Sequence, residues 1–267
     1  MLRIRGMVDS VTILAGDGVA SGSVAVGRVD EAASIWMEMS LHNSVDRIFD
    51  IRLAALLVWY GKTNEHAAMS TRLLETCKQT QEAGDANCVA KLASIRPLAD
   101  AKLRQAALDL ARRAVELGQK DIYLPWFLLS VGMAEYRMGH FGEADLALLR
   151  AEQSAEEPSH MHRSWIQCTA RYYHSMTLFQ LGRLKEARLR FAEAQAPMKR
   201  PLSDGTVPTT GGANHDDLVL WLARKEAEAL LATAGLSQKH RAPSILVHNG
   251  SKRRSPNAPR ARSTRTT

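Results

Sequence analysis

The fold is decided by a stretch that reads Gly132-Met-Ala-Glu-Tyr-Arg-Met-Gly-His-Phe-Gly-Glu-Ala144. The same pattern returns 43 residues later as Ser175-Met-Thr-Leu-Phe-Gln-Leu-Gly-Arg-Leu-Lys-Glu-Ala187. Glycine, glutamate and alanine recur at matched positions, and this many matches in one register indicate a repeat. The rest of the chain is interpreted outward from these two copies, which lie between Leu124 and Pro197.

Each copy has the features of two helices joined by a tight turn. Gly139 stands between two helical apolar patterns, and glycine adopts the left-handed backbone of such a turn at little cost. Ala144 and Ala151 are seven residues apart, so they share one face of the second helix and allow a close approach of the first. One pair cannot bury its own apolar stripe, so the sequence predicts a stack of pairs.

This pattern resembles the tetratricopeptide repeat. The period of 43 residues is longer than the usual ~34, and the extra residues are expected in the linker after Ala151. Leu148 also stands where the family pattern has an aromatic residue. The resemblance implies an all-α fold, a right-handed superhelix (an α-solenoid) of tetratricopeptide-like hairpins whose first helices line a concave groove.

Apolar residues at helical spacing extend the array over most of the chain. Four helix pairs are predicted at 48–78, 87–118, 124–154 and 163–197, and a C-terminal capping helix is predicted from Asp217 to Ala234. The loop before that helix, up to Gly212, is rich in proline and glycine.

The predicted organisation has three parts. Residues 1–46 form a poorly ordered lead segment, in which one short helix is expected from Asp30 to Ser40. Residues 47–234 form the helical repeat domain, and residues 235–267 form a basic, disordered tail.

The basic character of the chain resides in that tail. It holds eight Lys or Arg residues and no acid, and without them 27 basic residues face 28 acidic ones. The run Lys252-Arg-Arg-Ser-Pro256 could attract the phosphates of nucleic acid, but no aromatic residue interrupts it for base stacking. A solvated tail is the preferred interpretation, and nucleic acid is a candidate partner through the tail alone.

Three longer strings carry a second resemblance. They read Arg52-Leu-Ala-Ala-Leu-Leu-Val-Trp-Tyr-Gly-Lys62, Tyr123-Leu-Pro-Trp-Phe127 and His215-Asp-Asp-Leu-Val-Leu-Trp-Leu-Ala223. With them, residues 48–233 resemble the C-terminal helical-repeat region of some bacterial serine/threonine protein kinases. The resemblance implies a scaffold in kinase-linked signalling or, alternatively, a C-terminal fragment or relative of such a kinase that lacks the catalytic domain.

Catalysis is not expected of the chain itself. The His-Arg-Asp and Asp-Phe-Gly motifs of protein kinases are absent, and the glycines near Gly16 do not have a phosphate-binding spacing. We therefore predict a non-catalytic protein–protein interaction scaffold that needs no cofactor.

The cysteines and the hydropathy indicate the compartment. Cys77, Cys88 and Cys168 are odd in number and have no Cys-x-x-Cys spacing, which is typical of reduced thiols. No apolar run is long enough to span a membrane. The predicted location is the cytoplasm.

The candidate peptide-binding groove is formed by first-helix residues. The spacing and the resemblance together assign to it six residues: Trp126, Met133, Tyr136, Arg137, Tyr172 and Met176. Arginine offers a planar fork for a carboxylate, and tyrosines offer rigid contact area, so the expected ligand is a protein or peptide with an acidic group. The alternative is that the tryptophan and the methionines belong to the core.

Two polar clusters are candidates for metal sites. In His215-Asp-Asp217, neighbouring side chains at a helix start diverge, so capping by Asn214 or Asp216 is preferred over metal binding. His160, His162, His174 and Cys168 match no zinc spacing, and surface or linker positions are preferred for these histidines. No metal is therefore predicted.

Overall fold

The computed structural model describes residues 27–42, 47–156, 162–197 and 213–239, together with Ala20 and Ser23. Within these residues every regular element is a helix, and there is no strand. The ten described helices are α1 Val29–His42, α2 Arg47–Trp59, α3 Thr63–Cys77, α4 Ala83–Ser94, α5 Ala101–Leu117, α6 Leu124–Met138, α7 Phe141–Ser154, α8 Arg163–Gln180, α9 Leu184–Gln195 and α10 His215–Lys239. The all-α fold class is confirmed.

The helices α2 to α9 form four consecutive pairs, as the sequence predicts, with boundaries within a few residues. Three of the pairs are turned by a glycine in the left-handed region, with φ of 75° at Gly61, 82° at Gly139 and 77° at Gly182. Only glycine adopts these dihedrals without steric cost. The turn interpretation of the two matched copies is confirmed.

Small residues set the close approach within the two matched pairs. Ala144 and Ala187 are completely buried. A Cβ atom added at Gly132 would lie 2.6 Å from the side chain of Leu148, so α6 and α7 pack closely at this position. At the matched position, the Ser175 hydroxyl donates to the Ala187 carbonyl across 2.7 Å.

The helices are arranged in layers. The first helices of the pairs, α2, α4, α6 and α8, contact one another in sequence order. Their second helices, α3, α5, α7 and α9, pack against them, while α10 contacts α2 and α8. We define the inner surface as the side of α2, α4, α6 and α8 that faces α10.

The last helix differs from its predicted role as an end cap. It contacts α8 and α9 of the last pair, but it also reaches back to α2 of the first pair. Its N-terminal half carries four consecutive buried residues, Leu218 to Trp221, each at most 4% exposed. Four consecutive residues cover all sides of a helix, so this turn is surrounded by several neighbours. A helix that caps one end of an array would instead leave one side exposed.

The N-terminal helix α1 begins before the predicted start of the repeat domain at residue 47 and packs against α2 and α3. Its Trp36 is completely buried and stacks on Tyr60 with ring centroids 5.9 Å apart. Helix α10 continues to Lys239, beyond the predicted domain end at residue 234. The rest of the predicted tail and most of the loop from Pro197 to Gly212 lie outside the described residues.

None of the described helices is both long and apolar enough to cross a bilayer. Cys77, Cys88 and Cys168 are all buried and form no disulfide.

Candidate functional site

The inner surface holds α10 through one large or charged side chain from each first helix. Trp59 of α2 contacts Trp221 with ring centroids 6.1 Å apart. The other three contacts are polar: Lys91 of α4 to Asp216, Arg137 of α6 to Glu226, and Trp165 of α8 to Asp217. All four first helices therefore contribute to one site, whose present occupant is a helix.

Arg137 is at the centre of this site. Its guanidinium donates to both carboxylate oxygens of Glu226, at 2.5 and 2.7 Å. It also donates to the carbonyls of Ser94 and Ile95 at the end of α4, at 2.8 and 2.6 Å, and to the Tyr173 hydroxyl at 3.1 Å. One side chain of α6 thus joins α4, α8 and α10. We call these five residues the Arg137 cluster.

The charges of Arg137 and Glu226 are largely shielded from water, so each is stabilised by the other. The Arg137 side chain is 4% exposed and that of Glu226 is 21% exposed. Burial opposes the charged form of Arg137, but Tyr173 and Glu226 outweigh it, so the pKa of Arg137 is raised. Burial also raises the pKa of the Tyr173 hydroxyl. Both groups therefore keep one protonation state over the physiological range.

The start of α10 is fixed by a second set of contacts. Asn214 caps the helix, since its side-chain oxygen accepts from the Asp217 amide at 2.8 Å, and the Asp217 side chain accepts from the Asn214 amide at 3.2 Å. Asp217 also accepts from the Trp165 indole at 3.0 Å. Asp216 lies 3.3 Å from the Lys91 ammonium, which itself lies 4.2 Å from the centre of the Trp126 ring. The capping interpretation of this segment is confirmed for Asn214.

The predicted groove residues do not all lie at this site. Met133 and Met176 are completely buried in the hydrophobic core, which agrees with the alternative considered for them. Trp126 is 7% exposed and lies against Lys91 on the inner surface. Tyr136 packs its ring on Tyr173, with centroids 5.8 Å apart.

The groove interpretation predicts an exposed Arg137, and this prediction is wrong because α10 covers the side chain. Tyr172 is completely buried and packs edge-on against Phe191 of α9, with centroids 5.3 Å apart. Its neighbour Tyr173 is the tyrosine that contacts Arg137. The repeat register selects Tyr172 as the groove residue. Tyr173 is adjacent to it and points about 100° away around the helix, so the register does not select it.

The predicted surface or linker position is wrong for His174, which is buried among side-chain partners. His174 is buried; its Nδ1 accepts from Arg190 at 2.9 Å, and its Nε2 lies 2.5 Å from Asp145. The Nε2 atom therefore carries the hydrogen and donates to Asp145. Across the part of the chain that the structure describes, no group of three His, Cys, Asp or Glu side chains could hold a metal ion. His160 lies outside the described residues.

Comparison with known proteins gives no further assignment: no family model, no curated protein and no solved structure matches this chain. The inner surface therefore has to be interpreted from its own chemistry. It contacts α10 through apolar residues and through Arg137, which binds one carboxylate of that helix. Lys91 and Trp165 contact two further carboxylates near the start of the helix.

Proposed function

We propose that this chain is a non-catalytic protein–protein interaction scaffold, a right-handed superhelix of tetratricopeptide-like hairpins that acts in the cytoplasm. Its inner surface recognises a helical segment with acidic side chains. The observation that carries the proposal is the two-point contact of Arg137 with Glu226 at the centre of the inner surface. A planar guanidinium selects a carboxylate in one orientation, and helices bound in grooves are a common mode of peptide recognition.

In this proposal α10 is an intramolecular occupant of the binding site, and a partner helix binds by taking its place. A tethered ligand has an effective concentration of roughly millimolar, so it competes strongly with a partner in solution. Weakening the hold on α10 should therefore strengthen partner binding.

A peptide that copies residues 213–239 tests this proposal even while the partner is unidentified. Binding of the labelled peptide is measured by fluorescence anisotropy against the whole protein. We expect weak binding of the peptide to the wild type. Binding to the Glu226→Gln variant, in which α10 no longer forms the ion pair with Arg137, should be at least about tenfold tighter. Adding Arg137→Met to that variant should abolish the gain.

The matched control is Glu228→Gln. Glu228 lies on the same helix, but its side chain is 63% exposed and lies 4.0 Å from Arg224. Its variant should bind the peptide as the wild type does. If the Glu226 and Glu228 variants bind the peptide equally, the inner surface does not select an acidic helix and the proposal fails.

The resemblance to kinase-associated repeat regions extends the proposal to kinase-linked signalling. It also leaves the alternative that the chain is a fragment or relative of such a kinase. In neither case do we expect phosphoryl transfer from this chain, since it lacks the lysine and aspartate motifs that such transfer requires. Transfer from labelled ATP to a generic substrate, abolished by a point substitution in this chain, would contradict that part of the proposal.

A further inference from the structure

A cavity of about 300 Å³ lies beside the start of α10, where the N-terminal ends of α2, α4 and α6 also meet. This volume is at the lower end of the range for small-molecule sites. Its walls include Ile51, Gly84, Asn87, Lys91, Trp126 and Asp216. It is about ten residues along α10 from Glu226, so it is separate from the Arg137 cluster.

Asn87 gives this cavity an unused polar group. The residue is 6% exposed, and one end of its amide is joined to the Ser130 hydroxyl at 2.6 Å. The other end has no hydrogen-bond partner among the described residues, and it lies in a residue that lines the cavity. The Ser130 hydroxyl donates to the Asn87 carbonyl oxygen, so the free end is the amino group, which is a donor. A ligand that carries an acceptor satisfies it.

The two buried charges in the cavity wall are paired with each other. Lys91 and Asp216 are 3% and 6% exposed, and their side chains form an ion pair at 3.3 Å. Asp121 also lines the cavity and is exposed, so the wall carries an excess of negative charge. An anionic ligand would therefore enter the site without a counter-charge, which is unfavourable. The ammonium group has more N–H donors than this one ion pair uses, so it can still donate to a ligand carbonyl.

The remaining walls include apolar and aromatic residues beside the two histidines His162 and His215. Ile51, Trp126 and Phe127 are buried residues that line the cavity. Tyr123 also lines it and is 47% exposed, so the cavity opens to solvent on that side. Such walls favour a flat, apolar ligand body.

We propose that this cavity binds a small, uncharged aromatic amide. The amide carbonyl accepts from Lys91 and from the amino group of Asn87, and the ring packs against Ile51 and Phe127. Both donors then have a partner, and the Lys91–Asp216 pair stays intact.

Gly84 provides a specific way to close the cavity. It lines the cavity in the first turn of α4, its φ is not positive, and a Cβ added there would meet no atom within 4 Å. Leucine at this position therefore adds a bulky side chain to the cavity wall without displacing the backbone. Gly142 is the matched control, because it is also the second residue of a helix and also has open space around an added Cβ.

The test compares three molecules of similar size by NMR titration of the whole protein: benzamide, benzoate and toluene. Benzamide should bind with a Kd of roughly 1 mM and shift the Trp126 indole signal, as expected for a ligand of so few atoms. Benzoate, which carries a charge, and toluene, which has no polar group, should each bind at least about tenfold more weakly.

The variants decide whether that binding is in this cavity. Gly84→Leu should weaken benzamide binding at least about tenfold, while Gly142→Leu should leave it unchanged, with both proteins shown to be folded by their circular dichroism melting curves. Benzoate that binds more tightly than benzamide would overturn the uncharged ligand class. Absence of benzamide binding, or equal binding by the two leucine variants, would overturn the site.

Discussion

Arg137 and Glu226 are 89 positions apart in the sequence, yet two hydrogen bonds of 2.5 and 2.7 Å join their side chains. The pair links α6 in the middle of the array to α10 near the end of the chain. The same arginine also donates to the last carbonyls of α4. One side chain therefore connects the inner surface, its occupant and a helix C-terminus.

Arg137→Met should destabilise the protein by about 2–4 kcal/mol. The substitution leaves Glu226 without its counter-charge and the Ser94 and Ile95 carbonyls without their donor. Urea unfolding monitored by circular dichroism measures the change. Arg188→Met on the exposed face of α9 is the control and should change stability by less than about 0.5 kcal/mol. Equal losses for the two variants would show that the Arg137 cluster contributes no stability.

Overpacking the close helix contacts should also be destabilising. Ala144→Leu and Ala187→Leu each insert a larger side chain where the alanine is completely buried, at an expected cost of roughly 1–3 kcal/mol. Ala192→Leu, on the exposed side of α9, should have little effect. Denaturant midpoints that do not separate the buried alanines from Ala192 would contradict this close packing.

The turn glycines should be distinguishable from glycines in ordinary helical geometry. Gly139→Ala forces a side chain into the left-handed region, where φ is 82°, and should cost about 1 kcal/mol. Gly142→Ala places the same methyl group in the first turn of α7, with open space around it. There the replacement should be neutral or stabilising by about 0.4–1 kcal/mol. Thermal unfolding of both variants measures the difference, and a loss at Gly142 as large as that at Gly139 would refute the turn assignment.

Stability should fall as the pH is lowered from about 7.5 to 5.5. Burial lowers the pKa of His66, whose Nε2 lies 3.0 Å from the Leu92 carbonyl, and also lowers the pKa of His174. The unfolded chain takes up protons near its ordinary histidine pKa of ~6.5, whereas the folded protein resists them. The contribution of these histidines is thus fully present above that pH and is lost as the pH falls below it.

His174→Gln provides the control for the pH dependence. An amide can accept from Arg190 and donate to Asp145 as the neutral imidazole does, but it does not titrate. Urea midpoints at several pH values should show a shallower slope for this variant than for the wild type. Identical slopes would mean that His174 does not contribute to the pH dependence.

Much of the local structure could be predicted from the sequence. The sequence assigns Gly139 and Gly182 to turns and Ala144 and Ala187 to close helix contacts, and the structure confirms both assignments. These features depend on residues that are near one another in the chain, and the 43-residue register presents each of them twice. The candidate site could be predicted only in part, because the pattern identifies Arg137 without its partner and selects Tyr172 in place of Tyr173.

The sequence by itself determined the helix pairs, their turns and the small residues at their contacts, since backbone dihedrals and helical periodicity are local properties. The tertiary structure alone decided the position of α10. Its acidic start and its apolar residues are equally compatible with a cap on the end of the array and with burial against the inner surface. Only the folded chain brings Glu226 to Arg137 and Asp216 to Lys91, because a buried charge must find its partner in space and not in sequence.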